Sequence, residues 1–460
     1  MMHYQRKGNT TVKTMTKRAL ALASGVAVAA LVLTGCTSAG GGSTSGSTVS
    51  QSDIDKAMNT PTTLTFWTWV PDIKDEVALF EKKYPKITVK VENVGQGLPH
   101  YQKLRTALKS GNGAPDVAQM EFQYLSSFEV TKNLVDLSKY GAAATKSNYP
   151  AWIWSQITAG SAVYAVPQDS GPLGNLYRSD LYNKAGITSA PATYEDYAAD
   201  AAKLKSATGA YISNLAANDP AQMVGLLWQA GVNPFGYDGK KTVKIDVNSA
   251  GAKKVYAYWQ DLIQKGYVST DPDFTDDWYQ GFNSDKYAGW LTAAWAPVFM
   301  QGTIKATAGK WTAAELPQWS AGAHVSGNWG GSTDVVLAPS KHQIAAYELA
   351  KFINSDKESA LLLTSKQSLF PTTNTIFNDA DFSGAKSDFF GGQQVNAVFS
   401  KISATVDTKF EWLPFTDFAY TAYNNTVGKA LADKSDLSAA ADTWQQQLVD
   451  YAKQQGFTVG

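Results

Sequence analysis

The sequence predicts an α/β fold in which open sheets are flanked by helices and the chain is divided into two domains. Strand and helix patterns alternate from residue 64 to residue 120 in the order β-α-β-α-β, which is typical of a parallel sheet covered by helices. The chain has 460 residues, too many for one core of the usual size, so its length favours two domains. The pattern lacks the eight-fold periodicity of an α/β barrel.

Each element is predicted from its hydrophobic period. Apolar residues that alternate with polar ones indicate strands, apolar residues at a spacing of three or four indicate helices, and Gly/Pro clusters mark the breaks. In chain order the predicted elements are a strand at 64–69, a helix capped by Asp72, a strand at 87–91, a helix over 101–108, a strand at 116–120, helices over 194–204, 225–229, 255–263 and 344–353, a helix begun by a capping box at Ser355, and a long helix that ends near Gln455.

The first 35 residues have the features of a secretory signal peptide. Residues 1–18 carry five basic residues and no acidic one, and residues 19–33 are almost continuously apolar. A transmembrane helix needs about 20 apolar residues, so the run is too short for the alternative, a membrane-spanning helix. The four residues that end at Cys36 resemble the lipobox of bacterial lipoproteins, in which a peptidase cleaves before the cysteine and its sulfur carries a diacylglyceryl group.

Cys36 is the only cysteine of the chain. It therefore has no disulfide partner, and lipidation explains its place directly after the apolar run. Residues 36–52 are rich in Gly, Ser and Thr and are expected to form a flexible tether, with order beginning near Pro61. Two acyl chains on one residue hold a protein stably at a membrane. The mature chain is therefore expected on the extracellular face of the cytoplasmic membrane, anchored through Cys36.

The mature chain is mildly acidic and rich in aromatic residues. Residues 1–35 carry five of the 40 basic residues and none of the 40 acidic ones, so 35 basic and 40 acidic residues remain. No Lys/Arg cluster is present, and this argues against nucleic acid or anionic lipid as a partner. Aromatic residues make up 12% of the chain and include 14 Trp, so some rings are expected to line a ligand surface.

Polar and aromatic residues follow two of the predicted strands. Trp69 and Asp72 come after the first strand, and Glu121, Gln123 and Tyr124 come after the third. In open α/β sheets ligands bind in the crevice outside the carboxyl ends of the strands, so these side chains are candidate ligand contacts. Capping the following helix is the alternative role for Asp72.

Tryptophan is the second candidate for ligand contact. Its ring face fits the apolar C–H face of a sugar, and carboxylates and amides then bind the hydroxyl groups. Six tryptophans lie between residues 271 and 331, and Trp329 is flanked by an asparagine and two glycines that would let a ligand approach the backbone. For any single Trp a place in the core is the alternative, and it stays open for Trp228 and Trp290.

Taken together in their order, these segments resemble the extracellular solute-binding proteins of bacterial ABC sugar importers, the family that includes maltose-binding protein. The resemblance covers nearly all of the mature chain. It rests on the lipobox and on six segments, LTFWTWVPD, APDVAQMEFQ, VYAVPQDSGPLGNLYRSDL, WLTAAWAPVF, NWGGSTDVV and the paired helices AAYELAKFINSDKES.

The resemblance implies a two-lobed periplasmic-binding-protein-like fold, in which each lobe is an open sheet flanked by helices and hinge crossings join the two. The implied boundaries are a signal peptide at 1–35, a lipidated Cys36 with its tether at 36–52, lobe 1 at 53–169 plus 332–386, and lobe 2 at 172–329 plus 389–460. The implied function is to capture an oligosaccharide outside the cell and to deliver it to membrane permease subunits that a separate ATPase powers. A monomer without a cofactor or metal is expected.

Candidate carbohydrate contacts come from the strand ends, from the matched positions of the family and, for Trp278, from composition alone. They are Trp69, Asp72, Glu121, Gln123, Asp169, Trp228, Trp278, Trp295, Asn328, Trp329, Trp412, Asp417 and Tyr420. No set of charged residues typical of maltose recognition is present, so the sugar stays open.

Two other classes of protein stay possible from the sequence. A secreted glycoside hydrolase would also carry aromatic rings and carboxylates, but it needs two carboxyl groups about 5 to 9 Å apart, and no catalytic residue is predicted. A peptide-binding lipoprotein would need an Arg or Lys for a carboxylate, and none is obvious at the strand ends. Outside the signal peptide, His100, His324 and His342 are isolated in the sequence, so no metal site is predicted.

Overall fold

The computed structural model describes residues 48–460, so the predicted signal peptide, Cys36 and most of the tether lie outside the described residues. The described residues form four sheets. Their strands are β1 (Thr62–Trp67), β2 (Ile87–Glu92), β3 (Val117–Glu121), β4 (Thr158–Ala159), β5 (Ala162–Val163), β6 (Val166–Arg178), β7 (Ser213–Asn214), β8 (Phe235–Tyr237), β9 (Thr242–Ile245), β10 (Val268–Ser269), β11 (Gly289–Ala293), β12 (Trp311–Glu315), β13 (Asn328–Val336) and β14 (Thr458–Val459).

Helices cover the faces of these sheets. They are α1 (Gln51–Met58), α2 (Lys74–Lys83), α3 (Leu98–Ser110), α4 (Leu125–Glu129), α5 (Ala151–Gln156), α6 (Ser179–Lys184), α7 (Tyr194–Thr208), α8 (Pro220–Gln229), α9 (Ala250–Gln264), α10 (Asp276–Asn283), α11 (Ala296–Thr303), α12 (Gln343–Ser355), α13 (Lys357–Ser365), α14 (Asn374–Phe377), α15 (Ala380–Gly384), α16 (Val395–Ser403), α17 (Thr416–Tyr423), α18 (Lys429–Asp433) and α19 (Leu437–Gln454). Among the described residues, no helix is both long and apolar enough to cross a membrane.

The main sheet has seven strands, with the path β11-β6-β13-β3-β1-β2 and β12 paired with β6. β1 is parallel to β2 and to β3, whereas β13 is antiparallel to both β3 and β6. The first part of β6 pairs with β13, and its second part pairs with β11 and β12. β6 and β13, the crossing strands, therefore connect the β1–β3 end of the sheet to the β11–β12 end.

The predicted β-α-β-α-β order is confirmed as β1, α2, β2, α3 and β3. Burial explains the strength of this signal, because Leu64 and Phe66 of β1 and Val117 and Met120 of β3 are each 0% exposed. The expectation of an open parallel sheet holds only in part, since the crossing strands add antiparallel pairs.

Three local predictions were wrong. Asp72 does not cap α2: Ile73 takes the N-cap position without a side-chain bond, while Asp72 is exposed and has a φ of 55°. Asp356, not Ser355, caps α13, with its side chain accepting from the Glu358 amide. Order begins before Pro61, because Ser50 and Asp53 form a capping box that starts α1.

The crossing strands approach each other closely at Gly171. A β-carbon built on Gly171 would lie 1.9 Å from the backbone oxygen of Trp329, far inside van der Waals contact, so only glycine fits there. β6 runs unbroken through Gly171 and Pro172, from Val166 to Arg178.

Candidate functional site

Aromatic rings connect the loop after β1 to the end of β3. The partly buried ring of Trp69 packs edge-on against His100, with 5.0 Å between ring centroids. His100 in turn contacts Tyr101 at 5.2 Å, and the Tyr101 hydroxyl donates a hydrogen bond of 2.9 Å to Glu121 Oε2. The structure thus brings Trp69 and Glu121 together, as the sequence predicts for residues after neighbouring strands.

Glu121 is a partly buried carboxylate without a cationic partner. The Gln123 amide donates to its Oε1 at 3.0 Å. Burial raises the pKa of Glu121 to about 7, although the bonds from Tyr101 and Gln123 favour the charged form, and the negative charges of Asp169 and Asp219 raise the pKa further. Asp169 and Asp219 therefore each lie close enough to Glu121 to influence it.

Asp169 lies on β6, where the crossing strands pair with each other. Its carboxylate accepts hydrogen bonds from the backbone amide of Ser332, at 2.8 Å, and from the Ser332 hydroxyl. Asp169 is 9% exposed, and burial raises its pKa despite these two bonds. The residue faces the crossing strands rather than bulk solvent.

The structure adds two carboxylates that the sequence did not single out. Asp219 caps α8 by accepting from the Ala221 amide at 2.7 Å. Asp273 is 3% exposed, and neither of its carboxylate oxygens has a hydrogen-bond partner. Burial and the nearby charge of Asp219 raise the pKa of Asp273 to about 8, and burial raises that of Asp219 to about 6. In the sequence, the aspartate directly before Pro220 is typical of a helix N-cap, and this pattern could have indicated Asp219.

Helix α17 contacts the Glu121 region through two predicted residues. Tyr420 is partly buried with an unpartnered hydroxyl; burial raises its pKa, and the nearby charges of Asp219 and Glu121 raise it further. Asp417 accepts a hydrogen bond of 2.8 Å from Arg105, on α3. The candidate ligand contact Asp417 is therefore engaged in an ion pair between two elements that lie 312 residues apart in sequence.

Aromatic rings form a partly exposed surface at the other end of the crossing strands. The Trp295 indole nitrogen donates to the backbone oxygen of Trp329 at 2.8 Å. Phe274 and Phe299 flank Trp295 with ring centroids 6.1 and 5.7 Å away, and they are 42% and 44% exposed. Phe274 also has a φ of 56°, rare for a bulky residue. We call Phe274, Trp295 and Phe299 the aromatic platform. Its two phenylalanines are not predicted from the sequence, because nothing in the pattern marks them as exposed.

Several predicted contacts lie in the core or elsewhere. Trp228 is 0% exposed and stacks on Phe410 at 4.1 Å, and Trp278 is 1% exposed. Trp329 is 4% exposed. Trp412 is partly buried, its indole donates to Gln156 at 2.7 Å, and it lines a groove of about 540 Å³ that Phe122, the residue after Glu121, also lines. The structure therefore places the Trp228 and Trp278 rings in the core.

Two further predicted residues, Asn328 and Asp72, differ in their environment: one is buried and hydrogen-bonded, and the other is exposed. The side-chain oxygen of Asn328 accepts from the Gly171 amide at 2.9 Å, and its nitrogen donates to the oxygen of Gly330 at 2.8 Å. Asn328 is 2% exposed, so it holds the crossing strands together. Asp72 is exposed at the start of α2. In residues 48–460 no group of three or more His, Cys, Asp or Glu side chains is arranged to hold a metal ion.

The candidate residues thus lie in two groups around the crossing strands, with carboxylates near β3 and aromatic rings near β11. The family model of the bacterial extracellular solute-binding proteins matches residues 66–360. The chain belongs to this family. The resemblance stated from the sequence is thereby confirmed, and the family is one of binding proteins that act outside the cytoplasm.

Curated relatives of this solute-binding protein include two sugar-binding proteins. The arabinooligosaccharide-binding protein of Bacillus subtilis (strain 168) is 26% identical over 322 residues, which cover 65% of this chain and 70% of the relative. The lactose-binding protein of Rhizobium radiobacter is 26% identical over 362 residues, which cover 72% and 80%.

Solved structures are similar over most of the chain. The ABC-transporter-associated binding protein of B. animalis subsp. lactis Bl-04, in complex with β-1,6-galactobiose, is 30% identical with a TM-score of 0.75, covering 87% of this chain and all of that one. The galacto-N-biose/lacto-N-biose I-binding protein of Bifidobacterium longum, in complex with lacto-N-biose, is 27% identical with a TM-score of 0.75, covering 86% and 98%. The predicted fold, the two-lobed α/β fold of such proteins, is confirmed.

Proposed function

We propose that this protein captures oligosaccharides outside the cell and delivers them to the permease of an ABC importer, which a separate ATPase powers. The observation that carries the proposal is the aromatic platform, because its exposed rings are attached to the crossing strands of a solute-binding fold by the bond from Trp295 to the Trp329 oxygen. Exposed aromatic rings suit the apolar faces of a sugar, and carboxylates without a cationic partner suit its hydroxyl rim.

The proposed ligand site lies between two lobes with the predicted boundaries, 53–169 plus 332–386 and 172–329 plus 389–460. Support comes from the pairing of β6, which changes partners on either side of Gly171. Of the predicted contacts, the proposal retains Trp69, Glu121, Gln123, Asp169, Trp295, Asp417 and Tyr420, and it adds Asp219 and Phe274. Trp228, Trp278 and Trp329 are left out because their rings are buried. Trp412 is left out because its indole is bonded to Gln156, Asn328 because it holds the crossing strands together, and Asp72 because it lies exposed at the start of α2.

Binding without catalysis is part of the proposal. Family membership supports it, since the family and its curated relatives are binding proteins. The unpaired carboxylates Glu121 and Asp219 would accept hydrogen bonds from sugar hydroxyls rather than act as an acid and a nucleophile. A sugar that binds should therefore be recovered intact after prolonged incubation with the protein.

Anchoring at the outer face of the membrane is likewise proposed. It rests on the sequence of the signal peptide and on Cys36, which stands alone after the apolar run. A tethered receptor has a high effective concentration at its permease, because the linker confines it to the membrane surface.

Isothermal titration of the mature protein tests the function. The panel contains arabino-oligosaccharides, lactose, β-1,6-galactobiose and lacto-N-biose, with tri- and tetrapeptides as the comparison. At least one sugar should bind at about micromolar affinity, which corresponds to roughly −8 kcal/mol. Saturable heat with peptides and none with any sugar would overturn the proposal, and chromatography of the recovered sugar detects hydrolysis.

A further inference from the structure

We propose that Gln119 is a positioning residue, which ties the Trp69 loop to the crossing strands so that contact with the ligand and the geometry of the hinge are set together. The inference rests on the proposed function, since it assigns Trp69 to the ligand site. Neither Gln119 nor Ser332, whose bonds it interprets, is among the candidate ligand contacts.

At one end, the Gln119 amide oxygen holds the loop after β1. It accepts from the backbone amide of Trp69 at 3.0 Å and from the Thr68 hydroxyl at 2.7 Å. The pairing of β1 with β3 ends at Trp67 and Ala118, so the sheet itself offers Trp69 no backbone partner from β3. The side chain of Gln119 therefore accepts the hydrogen bond that a β3 backbone oxygen would otherwise accept, and it fixes the position of the Trp69 backbone.

At the other end, the Gln119 amide nitrogen reaches the crossing strands. It donates to the Ser332 hydroxyl oxygen at 3.0 Å, and that hydroxyl lies within bonding distance of both Asp169 and Gln168. Serine has a single hydroxyl proton, and the carboxylate is the stronger acceptor. The direction is therefore fixed: Gln119 donates to Ser332, and Ser332 donates to Asp169.

The side chains joined by these hydrogen bonds are buried. Gln119, Ser332 and Asp169 are 1%, 3% and 9% exposed, and Gln119 stands on β3 between apolar neighbours that are 0% exposed. A buried amide costs stability unless both of its ends are bonded, and here both ends are. An apolar residue would fill the same space, so the polar side chain has a role that packing alone does not explain. Its bonds join a candidate ligand contact to both crossing strands.

The test compares Gln119→Met and Ser332→Ala with Thr333→Val. Thr333 is the matched control, because it also lies on β13, is 0% exposed and donates one buried bond, to the Met120 oxygen at 2.8 Å, but has no link to Trp69. The mature protein carries 5-fluorotryptophan, and the Trp69 fluorine resonance is assigned with Trp69→Phe. The affinity for the sugar that binds best in the panel and the melting temperature are measured alongside.

Both Gln119→Met and Ser332→Ala should shift the Trp69 resonance in the free protein and weaken sugar binding about tenfold. Thr333→Val should lower only the melting temperature. The inference is overturned if the two variants lose stability as Thr333→Val does, with the Trp69 resonance and the affinity unchanged. If the wild type binds no sugar, the proposed function fails, while the response of the Trp69 resonance to Ser332→Ala still decides whether the link exists.

Discussion

The indole nitrogen of Trp295 donates a 2.8 Å hydrogen bond to the backbone oxygen of Trp329. Trp295 stands at the start of α11, Trp329 lies on β13, and the same oxygen is the atom that a side chain at Gly171 would strike. The aromatic platform is thus attached to the crossing strands at their closest approach. A residue proposed to bind the ligand and a residue that connects the two ends of the sheet share one contact.

Replacing Trp295 should weaken ligand binding more than it affects folding. Trp295→Ala removes a partly exposed ring and should cost about 1 to 3 kcal/mol of sugar affinity, whereas Trp295→Phe keeps a ring and should lose less. Titration calorimetry measures both. Trp154→Phe is the control, because Trp154 stacks on Tyr149 away from the platform. An unchanged affinity for Trp295→Ala would remove Trp295 from the site.

Gly171→Ala should separate the crossing strands. The added methyl group would lie 1.9 Å from the Trp329 oxygen and 2.9 Å from the Trp295 indole nitrogen, so the backbone must move. We expect a melting temperature several degrees lower, equivalent to about 1 to 3 kcal/mol, and weaker sugar binding. Gly302→Ala, in α11 with open space around the new methyl group, should leave both quantities nearly unchanged or raise stability slightly. Equal behaviour of the two variants would contradict the steric argument.

The sequence predicts local structure well wherever burial follows a simple period. β1, β2 and β3 with their intervening helices are examples, since their apolar residues point to one core. The sequence predicts the site less well, because the pattern does not show which Trp side chains are exposed. Trp228 and Trp295 have no feature in the sequence that distinguishes them, yet Trp228 stacks on Phe410 in the core, whereas Trp295 belongs to the aromatic platform. Asp273 was missed because its significance depends on Asp219, which lies on a different element.

The ion pair between Arg105 and Asp417 allows a test of how Asp417 acts. The side chains are 38% and 30% exposed, so the pair should contribute only about 0.2 to 1 kcal/mol. If Asp417 acts through Arg105, then Arg105→Ala and Asp417→Ala should weaken sugar binding equally, and the double variant should be no worse than either. If Asp417 binds the sugar directly, Asp417→Ala alone should show the larger loss.

Cys36 provides a prediction about location. Cys36→Ala should release the protein from the membrane fraction into the medium, because the acyl chains that hold the protein at the membrane can no longer be attached. Immunoblots of the two fractions measure the change. Sugar affinity of the released protein should equal that of the mature wild type, since the described contacts lie far along the chain from Cys36. Retention of Cys36→Ala on membranes would show that anchoring does not depend on this residue.

The pair of Asp219 and Asp273 should make stability depend on pH. Burial and the charge of Asp219 raise the pKa of Asp273 from 3.8 to about 8, so the folded state holds a proton that the unfolded state releases. The stability associated with this proton is fully present below pH 4 and is lost as pH rises through 8. Asp273→Asn carries no such proton. The free energy of unfolding of Asp273→Asn, relative to that of wild type, should therefore rise by about 1 kcal/mol or more from pH 4 to pH 8. Its melting temperature relative to wild type should rise with it.

Thermal unfolding of Asp273→Asn, Asp277→Asn and wild type at pH 4, 6 and 8 measures this change. Asp277→Asn makes the same substitution four residues further along, at an exposed position in the first turn of α10, and it should not show the change with pH that is expected of Asp273→Asn. His100 acts in the opposite direction, because burial lowers its pKa to about 4, but it is present in all three proteins and cancels in the comparison. A difference between Asp273→Asn and wild type that is the same at pH 4 and pH 8 would contradict a proton held by Asp273, and its two unpartnered oxygens would then need another explanation.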